Sequence, residues 1–457
     1  MPSLSAKQAG RMQPRWTIFR ALGVADGTGF EARPGAVLIE DDGEGRVQLL
    51  ASGRVEEVER HPGAVGAGRV DVGRSVLLPA LVNAHAHLDL TDVGPREYER
   101  ERGFPGWLQM VLRSRATDEA GIRRATEHGI QKSLRGGVIA VGDIAGTGHI
   151  EPVEALRDSP MMGVSFVEYF GLGPRQAEAI DQMTSLARGG ATVAHERVRM
   201  GLQPHAPYSA GIDVFNAAVA LERETGAPVA THLSESVDEI EFIERGTGML
   251  RELLQMIGVG DDVVRRHFGH GERPIRQLRE PLAAAPILAA HVNVASDEEI
   301  EFLATTKTSV AWCPRGHRYF GHLEKVGPHR WREMVKAGIN VAVGTDSIIN
   351  LPPDETDRIS TLDDLRLLSR TGEGDDALLL RLATINGAKA LGLDELMFSL
   401  VPPVRAARPL AGLIAVEVGG IEPSESPLRA VMRSSAVPEL IAPDPLAWPP
   451  VVVEVRT

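Results

Sequence analysis

A (β/α)8 barrel of the TIM type, joined to a small discontinuous β-sandwich built from both chain ends, is the fold this sequence predicts. Three observations point to it. From residue 78 onward, short apolar runs alternate with longer amphipathic segments, the pattern of parallel strands crossed over by helices. Eight such runs precede residue 350, and each gives way to polar or special residues, as barrel strands do where they deliver side chains to a common mouth. Both ends of the chain carry short strand-like runs broken by turns.

In order, Val37-Leu38-Ile39, Val47-Gln48-Leu49-Leu50 and Val70-Asp71-Val72 read as strands of a β unit, with Asp41-Asp42-Gly43-Glu44-Gly45 as a turn. The barrel strands are expected at 78–83, 138–142, 163–167, 198–203, 228–231, 287–290, 309–312 and 340–344. Asp143, Glu168, His205, His232, His291, Cys313 and Asp346 follow the second to eighth of these. Residues 379–391 place apolar side chains at helical spacing, so a core helix is expected there. A Pro-rich connector at 402–409 then leads to strands at 412–418 and 450–455, which complete the N-terminal β unit. The expected domains are therefore 1–77 with 396–457 for the sandwich and 78–395 for the barrel.

Composition narrows the function. A net charge of −13 argues against a nucleic-acid polymer as partner, since phosphate binding needs a cationic surface. No apolar stretch approaches the roughly 18 residues of a membrane span, and residues 1–20 lack the continuous apolar segment of a signal peptide. The one cysteine, Cys313, excludes an intrachain disulfide and fits the reducing cytoplasm, which is the expected location.

The chemistry concentrates at strand ends. In Asn83-Ala84-His85-Ala86-His87, two histidines separated by one residue of extended chain face the same side, so both imidazoles can address one point. Neutral imidazole is a common ligand for zinc and iron, and a catalytic site needs a few such nitrogens with a position left for water. His205, His232 and His291 also sit just past apolar runs, and a barrel would bring all five together at one mouth.

Six motifs in this order resemble the amidohydrolase superfamily, in its branch of single-metal amine deaminases and chlorohydrolases. They are Asn83-Ala84-His85-Ala86-His87, Gln203-Pro204-His205-Ala206-Pro207-Tyr208, Thr231-His232-Leu233-Ser234-Glu235-Ser236, Ala290-His291, Cys313-Pro314 and Gly344-Thr345-Asp346-Ser347. The resemblance implies His85, His87, His232 and Asp346 as ligands of one divalent ion, zinc ahead of iron. It implies His291 and Asp346 beside the attacking water, Glu235 as proton carrier and His205 facing the substrate. Two-metal relatives place a bridging lysine at the end of the fourth strand; this chain has Leu202-Gln203-Pro204 there, which implies a single ion. The chemistry independently suits these types, because three neutral nitrogens and a carboxylate leave the ion Lewis-acidic enough to activate water near neutral pH. A bland alternative for Glu235 is a helix-start residue favoured by the helix dipole.

The expected reaction is hydrolytic removal of an aromatic amino group from a small molecule. Cleavage of another C–N or C–Cl bond, in a triazine-like or cyclic amide substrate, is the second reading, and a non-catalytic barrel used in assembly the third; a homodimer is left open. Phe104-Pro105-Gly106-Trp107-Leu108 resembles an element that covers the barrel mouth in relatives, which makes Trp107 a candidate substrate contact, with helix-packing core as the alternative. The seventh-strand segment departs from the usual pattern, reading Cys313-Pro314-Arg315-Gly316-His317-Arg318-Tyr319-Phe320-Gly321-His322. Arg315 and Arg318 there, with Arg113 and Arg115 after the lid, suggest a clamp for a substrate carboxylate, with His317 as a neighbouring contact; surface salt bridges are the alternative for these arginines. This segment and the lid resemble aminodeoxyfutalosine deaminases of menaquinone biosynthesis, whose substrate joins adenine through a sugar to a benzoate.

Overall fold

The computed structural model describes residues 15–42, 46–189, 197–372, 374–403 and 406–443. Two compact units divide the chain: residues 1–79 with 396–457, and residues 80–395.

In the larger unit, eight parallel strands follow one another around a sheet in sequence order. They are Leu81–Ala86, Val138–Ala145, Met162–Tyr169, Val198–Pro204, Val229–Leu233, Ile287–His291, Ser309–Trp312 and Asn340–Val343. The ring closes through a parallel bridge between Ala86 and Asp346, with the Thr345 and Asp346 amides both donating to the His85 carbonyl at 3.1 Å. Gly344 permits this approach: a β-carbon there would lie 2.7 Å from the His85 carbonyl oxygen. Asn83 ties the same seam, accepting from the Thr345 amide at 3.0 Å and donating to its hydroxyl at 2.7 Å. Helices alternate with the strands, so the fold is the expected (β/α)8 barrel.

Among the described residues, the smaller unit contains two five-stranded sheets. Phe19, Val37, Ile39 and Leu49 from one and Val24, Leu77, Leu413 and Ala415 from the other share a buried core, the arrangement of a sandwich. Asp26 links its N- and C-terminal parts, its carboxylate accepting from the Ser399 hydroxyl and the Leu400 amide at 2.8 Å each.

Several boundaries differ from the sequence reading. The run at 78–83 is two strands: Ser75–Pro79 pairs with Leu413–Glu417 in the sandwich, and the barrel strand begins at Leu81. The continuous apolar run concealed this break because both strands are fully buried. The helix at 379–391 is split into Asp376–Leu382 and Ile385–Ala390, with Thr384 at φ −134 between them and Gly387 packed against Val82. Within the expected connector, Arg408–Leu410 is a strand paired with Val47–Leu49. The strand Glu439–Ala442 was not anticipated. The expected strand at 450–455 and residues 43–45 of the expected turn lie outside the described residues.

Candidate metal centre and active site

The C-terminal ends of the first, fifth, sixth and eighth strands bring His85, His87, His232, His291 and Asp346 together. Asp346 Oδ1 lies 3.8 Å from His85 Nε2 and 3.6 Å from His87 Nε2, and the Nε2 atoms of His87 and His232 are 3.3 Å apart. Donors arranged around one ion at about 2.1 Å would be separated by about 3.4 Å, so these spacings fit a shared metal. His85 Nε2 is buried without a hydrogen-bond partner, the condition of a nitrogen that awaits an ion. His232 Nδ1 lies 3.1 Å from both the His205 carbonyl, which can only accept, and Gln203 Nε2; the tautomer that donates from Nδ1 to that carbonyl turns the Nε2 lone pair toward the centre.

Electrostatics favour the same use. Burial, with neighbouring imidazoles adding to it, drives His85, His87 and His291 well below the ordinary imidazole range, and burial alone takes His232 to about 4, so all stay neutral and able to ligate. Burial raises Asp346 to about 7 against hydrogen bonds from Ser347 and Asn350, and a cation beside it would hold it as carboxylate. The backbone is shaped to aim these groups: Ser234, His291, Val292 and Asp346 have φ between 49° and 71°, a region costly for residues with a β-carbon.

Glu235 precedes helix Val237–Arg245 and lines the pocket. The helix-start role falls to its neighbours instead: Ser236 is the N-cap, and the Glu239 carboxylate accepts from the Ser234 amide at 3.0 Å and the Glu235 amide at 2.7 Å. Asn293 donates to the Glu235 carbonyl at 2.9 Å. The Glu235 carboxyl is thereby left pointing inward, 3.7 Å from His291 Nε2, and burial, with Asp346 and Glu239 nearby, raises it well above its usual range. The spacing Ser236-x-x-Glu239 is the signal of this cap in the sequence.

His205 belongs to a separate group with Glu168 and His232. Its Nδ1 is 2.6 Å from the Ser209 hydroxyl, Phe170 stacks on its ring at 4.4 Å, and it lines the pocket. Glu168, pushed up to about 8 by burial, lines the pocket too; its place at a barrel strand's C-terminal end was the available signal for a role that sequence reasoning did not assign. Trp107 serves both uses considered for it, stacking on Phe104 at 5.7 Å and forming pocket wall.

Two expected substrate contacts require correction. Arg315 is buried and turned away from the pocket: its guanidinium donates to Asp364, Glu355 and the Ser360 carbonyl at 2.9–3.0 Å. It is thus committed to an internal ion pair and cannot clamp a carboxylate. His317 is likewise outside the pocket lining, its Nδ1 3.1 Å from Asn293 Oδ1 and its ring packed beside His322 and His329. Arg318 and Arg113 are exposed outside the lining, whereas Arg115 forms pocket wall and donates to Asp89 at 2.5 Å. Replacing Arg315 with Ala is therefore expected to destabilise the fold by about 3–5 kcal/mol, because Asp364 would remain buried and unpaired. Urea unfolding measures that loss, and an unchanged midpoint with a raised KM would restore the clamp.

Residues 76–397 match the Amidohydrolase family. The 5-methylthioadenosine/S-adenosylhomocysteine deaminase of Natronomonas pharaonis is 28% identical over 352 residues, 72% of each chain. The aminodeoxyfutalosine deaminase of Deinococcus radiodurans is 28% identical over 338 residues, 70% of this chain and 74% of its own. The crystal structure of Helicobacter pylori aminofutalosine deaminase with methylthio-coformycin superposes with a TM-score of 0.70 at 21% identity, covering 91% of this chain and 95% of that one. Fold and family together define a metal-dependent hydrolase acting on C–N bonds. The chain belongs to the amidohydrolase family. Among the described residues, no helix is long and apolar enough to cross a membrane.

Proposed function

We propose that the protein is a hydrolytic deaminase of an adenine-containing small molecule, using one divalent ion held by His85, His87, His232 and Asp346. The observation that carries this reading is a buried Glu235 carboxyl, raised well above its usual range, beside a convergent set of neutral histidines and one carboxylate. Zinc is the favoured ion for a set of three imidazoles and a carboxylate. When bound, the ion supplies Lewis acidity that brings the pKa of water toward about 7.

The chain's own groups then divide the proton work. Asp346 accepts a proton from the attacking water, while Glu235 donates one to the ring nitrogen next to the carbon under attack. His291, 3.7 Å from Glu235, helps hold the incoming oxygen in line. The proton taken up by Asp346 then passes to the amine, the C–N bond breaks to release ammonia, and the Glu235 carboxylate takes the hydroxyl proton as the ring carbonyl forms, which returns both groups to their starting states. His205 and Trp107 form walls against which a flat heterocycle would lie. Support for adenine comes from the 5-methylthioadenosine/S-adenosylhomocysteine deaminase relative, whose name carries the adenosine unit.

The test is ammonia release by the zinc-loaded protein from adenosine, 5-methylthioadenosine, S-adenosylhomocysteine and aminodeoxyfutalosine. Turnover of at least one, with a kcat/KM above about 10⁴ M⁻¹s⁻¹, is expected. Inactivity on all four would refute the adenine assignment. Aminodeoxyfutalosine is the member that would place the reaction in menaquinone biosynthesis.

A further inference from the structure

The pocket over Glu235 and Asp346 changes character along its length. Its floor holds His87, His232, His291 and Asp346, whereas its outer half is built largely from helices Gly103–Ser114 and Met249–Met256. The first presents Leu108, Val111 and Leu112 beside Trp107, and the second presents Leu250, Leu253 and Leu254, with Ile257 just beyond its end. On each helix this spacing forms one apolar stripe. Leu250, Leu253 and Leu254 pack with Phe104, Trp107 and Leu108 in one apolar cluster, whereas Leu112 remains 53% exposed and Ile257 51%. Arg115 is the one arginine among the described lining residues, no lysine joins it, and Asp89 already accepts its hydrogen bond.

Resting on the deaminase reading, we propose that this outer half binds an uncharged apolar group of aromatic size, carried on the substrate at the end away from the reacting amine. The occupant follows from continuity, since one cavity runs from the donor cluster to the leucine walls. A carboxylate or ammonium placed between those walls would lose its water with little to replace it, whereas an aryl or long alkyl thioether would bury its surface there. Leu112 and Ile257 are the half-exposed members of this lining, so a larger substituent covers more of it and the preference should rise with the size of the substituent.

Three nucleosides test this on the zinc-loaded enzyme: adenosine, 5′-benzylthio-5′-deoxyadenosine and S-adenosylhomocysteine, which carries a charged amino acid on the same sulfur. The kcat/KM for the benzylthio compound is expected to exceed each of the others by about tenfold to a hundredfold. In Leu112→Glu and Ile257→Glu proteins, altered only at the exposed rim, the benzylthio-to-adenosine ratio should fall toward one while the thermal midpoint stays put. Calorimetry of the benzylthio nucleoside on the Glu235→Gln protein should show a negative heat-capacity change of binding, smaller once Leu112→Glu is added. Equal kcat/KM for the three, or a preference for the charged one, would overturn the inference and leave the deaminase reading intact. No ammonia from any of them, with no calorimetric binding, would overturn both.

Discussion

An Asp346→Ala protein is expected to lose its bound metal and its turnover together. Metal analysis should fall from about one ion per chain to near zero, and kcat/KM by about a thousandfold or more, since the Lewis acidity lost is worth several kcal/mol. The argument rests on position: Asp346 Oδ1 is the carboxylate oxygen within 4 Å of both His85 Nε2 and His87 Nε2. Because Asp346 has φ +59, alanine adds backbone strain of its own. Asp346→Asn avoids that confusion, since asparagine tolerates this conformation, and it should still lose most of the metal. His205→Ala supplies the contrast: its ring is in neither of the two clusters that contain His85, so the ion should remain. Full metal content and normal turnover in the Asp346→Asn protein would sink the ligand assignment.

The Glu235→Gln protein should behave differently, keeping the ion and losing about two to four decades of kcat, the usual worth of positioned acid–base catalysis. The substitution is nearly isosteric, and the loop around it is held by backbone bonds to Glu239 and Asn293 that do not involve the Glu235 side chain. A fall in kcat is therefore a loss of proton transfer rather than of structure, and an unchanged thermal midpoint would confirm that. Burial, with Asp346 and Glu239 nearby, raises this carboxyl well above its usual range, which favours the protonated form that donates. Near-normal turnover in this variant would return Glu235 to a structural role.

Much of the site could be read from the chain because a barrel converts order along the sequence into position around a mouth. Once eight apolar runs are counted, a polar residue just past each run has a known destination; this is why His85, His87, His232, His291 and Asp346 could be grouped before any distance was known. The same rule fails in the loops beyond the strand ends. Arg315 lies two residues past Cys313, yet its direction is decided by Asp364 on helix Thr361–Arg370, a partner that neither periodicity nor spacing reveals. His317 was misplaced for the same reason, since Asn293 draws it away from the pocket. The boundary at Pro79 was hidden because strands of two different sheets follow each other with no polar residue between them.

The seam between the first and last barrel strands has a consequence for the order in which the molecule acquires its chemistry. Asn83 and Thr345, bonded to each other there, are 262 residues apart in the chain. A link of that span forms only after most of the intervening barrel has been laid down, and closing so long a loop carries an entropy cost that local helices and neighbouring strands do not face. His85, His87 and Asp346 flank this link, so a nascent chain would hold two imidazoles early and gain its carboxylate last. An ion that binds all of them then acts as a clasp on the finished ring, favouring the closed state over every partly assembled one in proportion to its concentration.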